Sequence, residues 1–135
     1  MTEPDPHHIG EWYVAFYNDD RRYWWSWMCR DGFRHVAAFA YDAEHRVWLL
    51  YDVTTNRTQI RARSPDQMTA WVDALPANRR IVRFKAPDSP APPPFRIGFW
   101  CAPAVAHVVG VASRALRPEA LYRDLVAQGA LPAFE

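Results

Sequence analysis

Two apolar runs joined by a short, mostly polar segment constrain the fold of this chain more than any other feature. Phe33–Tyr41 and Arg46–Val53 are rich in aromatic, aliphatic and β-branched side chains, and only Asp42–His45 separates them. Such runs are typical of strands, and a connection this short joins antiparallel neighbours. The sequence therefore predicts a β-hairpin at this point and an antiparallel sheet around it.

The segment Ser64–Leu75 has the clearest helix signals in the chain. Ser64 is suited to the N-cap, Pro65 to the first helical position and Gln67 to the reciprocal side of a capping box. Apolar residues then recur at helical spacing, which predicts one buried face. The residues of that face are Met68, Trp71, Val72 and Leu75.

The remaining elements follow from similar patterns. Further strands are predicted at Glu11–Tyr17, Arg57–Arg63, Arg80–Phe84 and Phe95–Trp100. A second helix is predicted over Cys101–Ser113, with a closely packed Gly110 inside it. A third helix begins at Pro118 and ends at Gly129, with Leu121, Tyr122, Leu125 and Val126 facing inward. Together these elements predict an α+β fold, in which an antiparallel sheet of about five strands packs on the helix that carries Cys101.

Length and composition indicate a single domain. The chain has 135 residues, of which 50% are apolar and 23% are charged, a balance typical of a folded globular protein. We expect a flexible, polar tail over residues 1–10 and one domain over residues 11–135. The proline-rich segment 86–94 is expected to be an extended connection within that domain.

Charge and composition disfavour several classes of protein. The formal net charge is +1, so bulk electrostatics indicate no nucleic-acid partner. No apolar run reaches the roughly 18 residues of a membrane span, and the N-terminus does not resemble a signal peptide. We therefore expect a protein that is cytoplasmic, or part of a virion if it is encoded by a phage. The two cysteines and five histidines show no spacing typical of a metal site, and there is no glycine-rich phosphate loop, so the sequence predicts no metal and no cofactor.

Cys101 carries the strongest chemical signal. It follows a predicted strand and opens a predicted helix, with Pro103 in the first turn. Unpaired backbone N–H groups and the positive end of the helix dipole stabilise a thiolate at such a position, and the thiolate is the nucleophilic form of cysteine. The structural alternative is a small residue buried in the core for packing alone.

A thiolate nucleophile works with a base, most often histidine, and with a third group that orients this base. His35 lies in a strand that is otherwise apolar, whereas the other histidines lie in the tail, in the hairpin loop or on the far side of the Cys101 helix. If Asp42 pairs with His45, then His35 lies directly opposite Asp52, within hydrogen-bonding reach. A structural histidine and a solvated carboxylate at a strand end are the alternatives.

The segments around these positions resemble the papain-like NlpC/P60 superfamily. The resemblance is carried by Gly32–Asp42 (GFRHVAAFAYD), Trp48–Val53 (WLLYDV), Cys101–Gly110 (CAPAVAHVVG) and Arg117–Ala130 (RPEALYRDLVAQGA). Because the histidine precedes the cysteine, the order is that of the circularly permuted branch, which includes lecithin:retinol acyltransferase-like proteins. The same segments are similar to small proteins encoded by tailed phages and prophages.

The resemblance implies a nucleophile at Cys101, a base at His35 and an orienting residue at Asp52, on an antiparallel sheet packed against the Cys101 helix. The chain departs from the family pattern at two points. A tryptophan precedes Cys101 where ordinary members have aspartate, and Arg34 precedes His35 where they have glycine. The implied fold is therefore better supported by the residues than the implied activity.

Two functions are compatible with these features. The first is a cysteine hydrolase or acyltransferase that acts on an amide, ester or thioester bond of a peptide or acyl substrate. For a phage protein, a peptidoglycan peptide is a natural substrate. The second is a non-enzymatic virion or interaction protein that keeps the papain-like fold and binds a protein partner through the Trp-rich segment 21–28, since aromatic and arginine side chains are favoured at interfaces.

Overall fold

The computed structural model describes residues 9–18, 29–53, 58–86 and 101–134. The predicted strand Phe95–Trp100, the Trp-rich segment 21–28 and nearly all of the proline-rich segment lie outside these residues. The elements of the described ranges are β1 (Glu11–Tyr17), β2 (His35–Asp42), β3 (Val47–Val53), β4 (Thr58–Arg63), α1 (Pro65–Asp73), β5 (Arg80–Lys85), α2 (Cys101–Val109), α3 (Pro118–Ala127) and β6 (Leu131–Pro132).

These strands form one sheet in the order β4-β3-β2-β1-β5-β6. Every neighbouring pair is antiparallel. The α+β class with an antiparallel sheet, expected from the sequence, is therefore confirmed. Strand β6 was not predicted, because two residues are too few to show a hydrophobic period.

Helices cover both faces of the sheet. Val14 and Phe16 of β1 face α2 and α3, whereas Ala15 and Tyr17 face the side that α1 covers. We call these sides the α2/α3 face and the α1 face. A strand that is buried on both sides is a continuous apolar run and shows no polar alternation. This explains the sequence of β1 and of β2, whose first six residues are all buried.

Helix α1 begins as its sequence predicts. Oγ of Ser64 accepts a hydrogen bond from the Gln67 backbone N–H at 3.2 Å, and the Gln67 side chain accepts one from the Ser64 backbone N–H at 2.9 Å. Met68 and Val72 are buried. Trp71 and Leu75 pack against the same cluster, so the predicted apolar face of α1 is confirmed.

Two details of the other predicted helices are wrong. Gly110 does not lie inside α2, because the helix ends at Val109 and Gly110 adopts a φ of +77°. A left-handed residue of this kind ends a helix. Val126, predicted to face inward on α3, is 47% exposed. Leu121 and Leu125 form the centre of the buried stripe, and Val126 lies about 100° further round the helix from Leu125.

The predicted strand Phe33–Tyr41 begins too early, because β2 starts at His35. Phe33 precedes β2 and packs on the α2/α3 face, against the rings of Phe16 and Tyr122. The turn before it interrupts the strand alternation, since Gly32 has a φ of +84° and the Phe33 backbone N–H donates to the Arg30 carbonyl. The regular alternation of β2 therefore begins only at His35.

Candidate active site

His35 is held at the end of the sheet where β2 begins. It is the first residue of β2, and it pairs with Tyr17, the last residue of β1. Its ring packs edge-on against the Tyr17 ring at a centroid distance of 5.4 Å. The residue is 1% exposed and is the one buried polar or charged residue of the described core. A histidine in such a place needs polar partners, because burial of an unpaired polar group is costly.

Asp52 supplies one of these partners. The distance between Nε2 of His35 and a carboxylate oxygen of Asp52 is 2.6 Å. The predicted contact is therefore present, but the predicted register is wrong: Asp52 pairs with Ala37, two residues further along β2 than expected. The side chains of His35 and Asp52 meet as diagonal neighbours on one face, a separation that long side chains can bridge.

The hairpin loop explains the difference in register. Asp42 pairs with Val47 and not with His45, so the loop contains four residues. The Asp42 carboxylate accepts hydrogen bonds from the backbone N–H groups of Glu44 and His45. Arg46 then adopts a φ of +56°. A shift of two residues keeps every side chain on its predicted face, because the side-chain period of a strand is two.

Cys101 is the first residue of α2 and is 1% exposed. The helix packs on β2 and β3, and Cys101 belongs to the hydrophobic cluster of the α2/α3 face. His35 belongs by alternation to the other face, with Ala37 and Phe39 as its neighbours. The thiol and the imidazole interact because β2 and α2 both begin at the same end of the sheet.

The environment raises the pKa of His35 from its ordinary value to about 10. Burial is the largest influence and acts in the opposite direction, because a buried imidazolium loses its hydration. The interactions with Asp52 and then with Cys101 outweigh burial. His35 is therefore an imidazolium at neutral pH, and its Nε2–H donates to Asp52.

Asp52 leaves the second ring nitrogen of His35, Nδ1, available. Nδ1 is buried and has no hydrogen-bond partner of ordinary geometry among the described residues. Nε2 is occupied by Asp52. The Cys101 thiol interacts with the ring, although the contact does not meet hydrogen-bond geometry. Nδ1 is therefore the nitrogen that can exchange a proton with the thiol.

Cys29 lies in a different setting, although it is also a buried, free thiol. Burial raises the pKa of Cys29, and the nearby Cys101 raises it further, against the opposing charges of Arg117 and Arg34. A thiol with a raised pKa is mostly protonated at neutral pH and reacts slowly. Cys29 is therefore the slowly reacting control thiol against which Cys101 can be compared.

The three groups together supply what acyl transfer needs. Cys101 offers sulfur, His35 holds a mobile proton, and Asp52 fixes the orientation of the ring. The backbone N–H of Cys101, at the helix N-terminus, is a candidate donor to an oxyanion. Since the thiol is 1% exposed, a substrate carbonyl reaches it only after a local opening of the chain.

One group of side chains in the described ranges could hold a metal ion. Ligand atoms of Asp42, Glu44 and His45 lie within 4.8 Å of one another in the hairpin loop. The Asp42 carboxylate already accepts from His45 Nδ1 at 2.8 Å and from two backbone N–H groups. No ligand spacing in the sequence indicates this group, because its members converge only through the tight loop. None of them belongs to the site of His35 and Cys101.

Comparisons of this chain with protein-family models, with curated proteins and with solved structures find no match. The resemblance to the permuted papain-like branch therefore continues to rest on the residues quoted above. None of the helices in the described part of the chain is long and apolar enough to cross a bilayer.

Proposed function

We propose that this protein is a papain-like cysteine hydrolase or acyltransferase of the permuted type, with Cys101 as nucleophile, His35 as proton carrier and Asp52 as orienting residue. One observation carries the proposal. A buried imidazole is hydrogen-bonded through Nε2 to a carboxylate at 2.6 Å, while it interacts with a cysteine at the first position of a helix.

The reaction begins when His35 holds the proton of the Cys101 thiol. The thiolate sulfur of Cys101 attacks the carbonyl carbon of the substrate, and the carbonyl oxygen takes up the negative charge beside the Cys101 backbone N–H. The tetrahedral adduct expels the leaving amine or alcohol, which receives the proton from Nδ1 of His35. A thioester between Cys101 and the acyl group remains.

The acyl group leaves in the second half of the reaction. His35, now neutral, accepts a proton from water or from an acceptor alcohol or amine, and the resulting oxygen or nitrogen nucleophile attacks the thioester carbon. The bond between the acyl carbon and the Cys101 sulfur breaks, and the proton taken from the nucleophile stays with Cys101 and His35. With water the product is a carboxylic acid, and with another acceptor it is a transferred acyl group.

The electrostatics of the site favour this cycle. His35 keeps its second proton well above neutral pH, so an imidazolium is ready beside the sulfur before substrate binds. Asp52 is part-exposed, with 19% of its side chain accessible, and its contact with Nε2 holds the ring in place. These features favour proton exchange between His35 and Cys101 over a histidine that is buried for packing alone.

The order of the elements agrees with the permuted branch. The strand with His35 comes before the helix with Cys101, and the antiparallel sheet packs on that helix. A peptidoglycan peptide as substrate, and an association with a phage, rest on the resemblance alone. The non-enzymatic alternative rests on segment 21–28, which lies outside the described residues.

The proposal is tested by trapping the acyl-enzyme. We would incubate the Cys29→Ala variant with p-nitrophenyl acetate and follow both nitrophenol release and intact mass. The expected result is a burst of one equivalent, with one acetyl group mapped to Cys101. His35→Gln in the same background should slow acylation by at least about a hundredfold, as expected for loss of a general acid–base group.

Two controls separate catalysis from ordinary thiol reactivity. His45→Gln removes an exposed histidine in the hairpin loop and should leave the burst unchanged. A small free thiol at equal concentration gives the uncatalysed rate. The proposal is wrong if Cys101 acquires no acetyl group, or if the folded His35→Gln variant acylates as fast as its parent.

A further inference from the structure

Strand β4 (Thr58–Arg63) lies at one edge of the sheet. The strand order places β3 on its inner side, and among the described strands none lies on its outer side. An edge strand presents a row of backbone N–H and C=O groups that can pair with another extended chain. With six residues, β4 is as long as an ordinary strand of about five to six residues, so it is long enough for such a pairing.

The two faces of β4 differ in chemistry. Residues directly opposite each other on neighbouring strands share a face of the sheet. Arg61 pairs with Leu50, which belongs to the α1 face, and Ile60 pairs with Tyr51, which packs on the α2/α3 face. By alternation, Arg63 lies on the same face as Arg61. Strand β4 therefore carries arginines on one face and an isoleucine on the other.

Ile60 is exposed to solvent. It is 68% exposed, the largest value for a large hydrophobic residue in the described part of the chain. Helix α2 packs on β1, β2 and β3, whereas Thr58, Ile60 and Ala62 on this face of β4 are all exposed. One exposed isoleucine is ordinary on a protein surface. On an edge strand, however, a side chain of an added strand would lie directly beside it and cover it.

Arg61 and Arg63 give the other face of this edge a positive charge. Arg61 donates a hydrogen bond to the neutral side chain of Gln59 at 2.7 Å. Among the described residues, no carboxylate forms an ion pair with either arginine. Two copies of β4 paired edge to edge would bring four such arginines to one face of the joined sheet, and like charges on neighbouring strands are destabilising. The charge therefore disfavours a second copy of this chain and favours a partner with carboxylates.

From this arrangement we infer that the outer edge of β4 binds an extended acidic peptide, which adds to the sheet as a further strand. Its side chains alternate, so that carboxylates lie beside Arg61 and Arg63 and an apolar side chain covers Ile60. In this mode of recognition the backbone hydrogen bonds supply affinity, and the alternate side chains supply specificity. Parallel and antiparallel peptides both satisfy the match, because the side-chain period of a strand is two.

Three capped hexapeptides test this inference. The first alternates glutamate and valine, the second alternates lysine and valine, and the third is the first with every backbone nitrogen methylated. Each is titrated into the isotope-labelled protein, and backbone amide shifts are recorded. The glutamate peptide should bind with a dissociation constant on the order of millimolar or lower and shift the amides of β4. The lysine peptide and the methylated peptide should each bind at least about tenfold more weakly, through charge repulsion and loss of N–H donors respectively.

Variants locate the two contacts. The double variant Arg61→Gln/Arg63→Gln should bind the glutamate peptide at least about threefold more weakly, the loss expected for two exposed ion pairs. Its matched control is Arg114→Gln/Arg123→Gln, which removes the same charge from exposed positions outside β4 and should bind as the parent does. Ile60→Thr keeps a β-branched side chain but reduces its apolar surface, and it should weaken binding about twofold or more. A melting curve of each variant confirms that it is folded.

Several results would overturn the inference. One is binding of the glutamate peptide that is undetectable up to about 10 mM, or that leaves the amides of β4 unshifted. Equal affinity for the glutamate and lysine peptides would mean that the charge is not recognised. Undiminished binding of the methylated peptide would mean that no strand is added. Equal loss in the two double variants would reject the site, and β4 shifts that grow with protein concentration alone would assign the edge to a second copy. None of these readouts involves Cys101, so the proposed function is tested separately.

Discussion

Nε2 of His35 lies 2.6 Å from a carboxylate oxygen of Asp52, although the two residues are not cross-strand partners, since Asp52 pairs with Ala37. This diagonal contact joins the first residue of β2 to the end of β3. It holds the imidazole ring through Nε2 and leaves Nδ1 available. The chemistry proposed for Cys101 depends on this contact more than on any other in the chain.

Stability should fall with rising pH because of His35. Folding raises the pKa of His35 to about 10 from an unfolded value near 6.5. The folded state therefore gains its full stabilisation below about pH 6.5 and loses it progressively as the pH rises through 10. The free energy of unfolding, measured in urea over this pH range, should decline less in His35→Gln than in the parent protein. The difference should be on the order of a few kcal/mol.

The surface pair of His45 and Asp42 provides the comparison for that measurement. The hydrogen bond that His45 donates to Asp42 raises the pKa of His45, but both groups are exposed to solvent. His45→Gln should therefore retain nearly the whole pH dependence of the parent protein. If His35→Gln and His45→Gln show the same decline, the raised pKa assigned to His35 is incorrect.

Asp52 should act through the orientation of His35. Asp52→Asn keeps a side chain of the same size but removes the charge, so the acylation of Cys101 by p-nitrophenyl acetate should slow by about tenfold to a hundredfold. The same variant should lower the pKa of His35, measured by the ring ¹⁵N shifts as a function of pH. A slower reaction with an unchanged His35 titration would show that Asp52 acts in some other way.

Gly110 should tolerate substitution poorly. Alanine at this position would require a left-handed conformation at φ +77°, and its Cβ would lie 3.2 Å from the Cβ of Ala86. Gly129 also has a positive φ, of +102°, but a Cβ there would meet nothing within 4 Å. Both variants should lose about 1–2 kcal/mol through backbone strain, and Gly110→Ala should lose more. If Gly110→Ala and Gly129→Ala lose the same free energy of unfolding in urea, the contact with Ala86 relaxes without an energetic cost.

Local patterns were sufficient to predict much of the fold. The apolar runs of β1, β2 and β3 and the capping box at Ser64 depend on neighbouring residues, and the structure contains all of them. The register of the hairpin could not be predicted, because the left-handed conformation of Arg46 adds two residues to the loop and leaves no signal in the sequence. Since the shift is even, Asp52 still meets His35.

Other features could not be predicted because they join distant parts of the chain. The interaction of Cys101 with His35 requires α2 to begin at the same end of the sheet as β2, and only the resemblance indicated this. The packing of Tyr17 on His35 follows from strand pairing that the sequence does not specify. The pairing of β6 with β5 could not be predicted either, because β6 is too short to be recognised from its pattern.

The interaction of Cys101 with His35 is the central claim, and the ring ¹⁵N shifts of His35 measure it without access of a reagent to the buried sulfur. The titration would compare Cys29→Ala with the double variant Cys29→Ala/Cys101→Ala over a range of pH. We expect the first protein to give a His35 pKa of about 10, and the second to give a lower His35 pKa, because Cys101 raises it. The same His35 pKa in both proteins would contradict the claim.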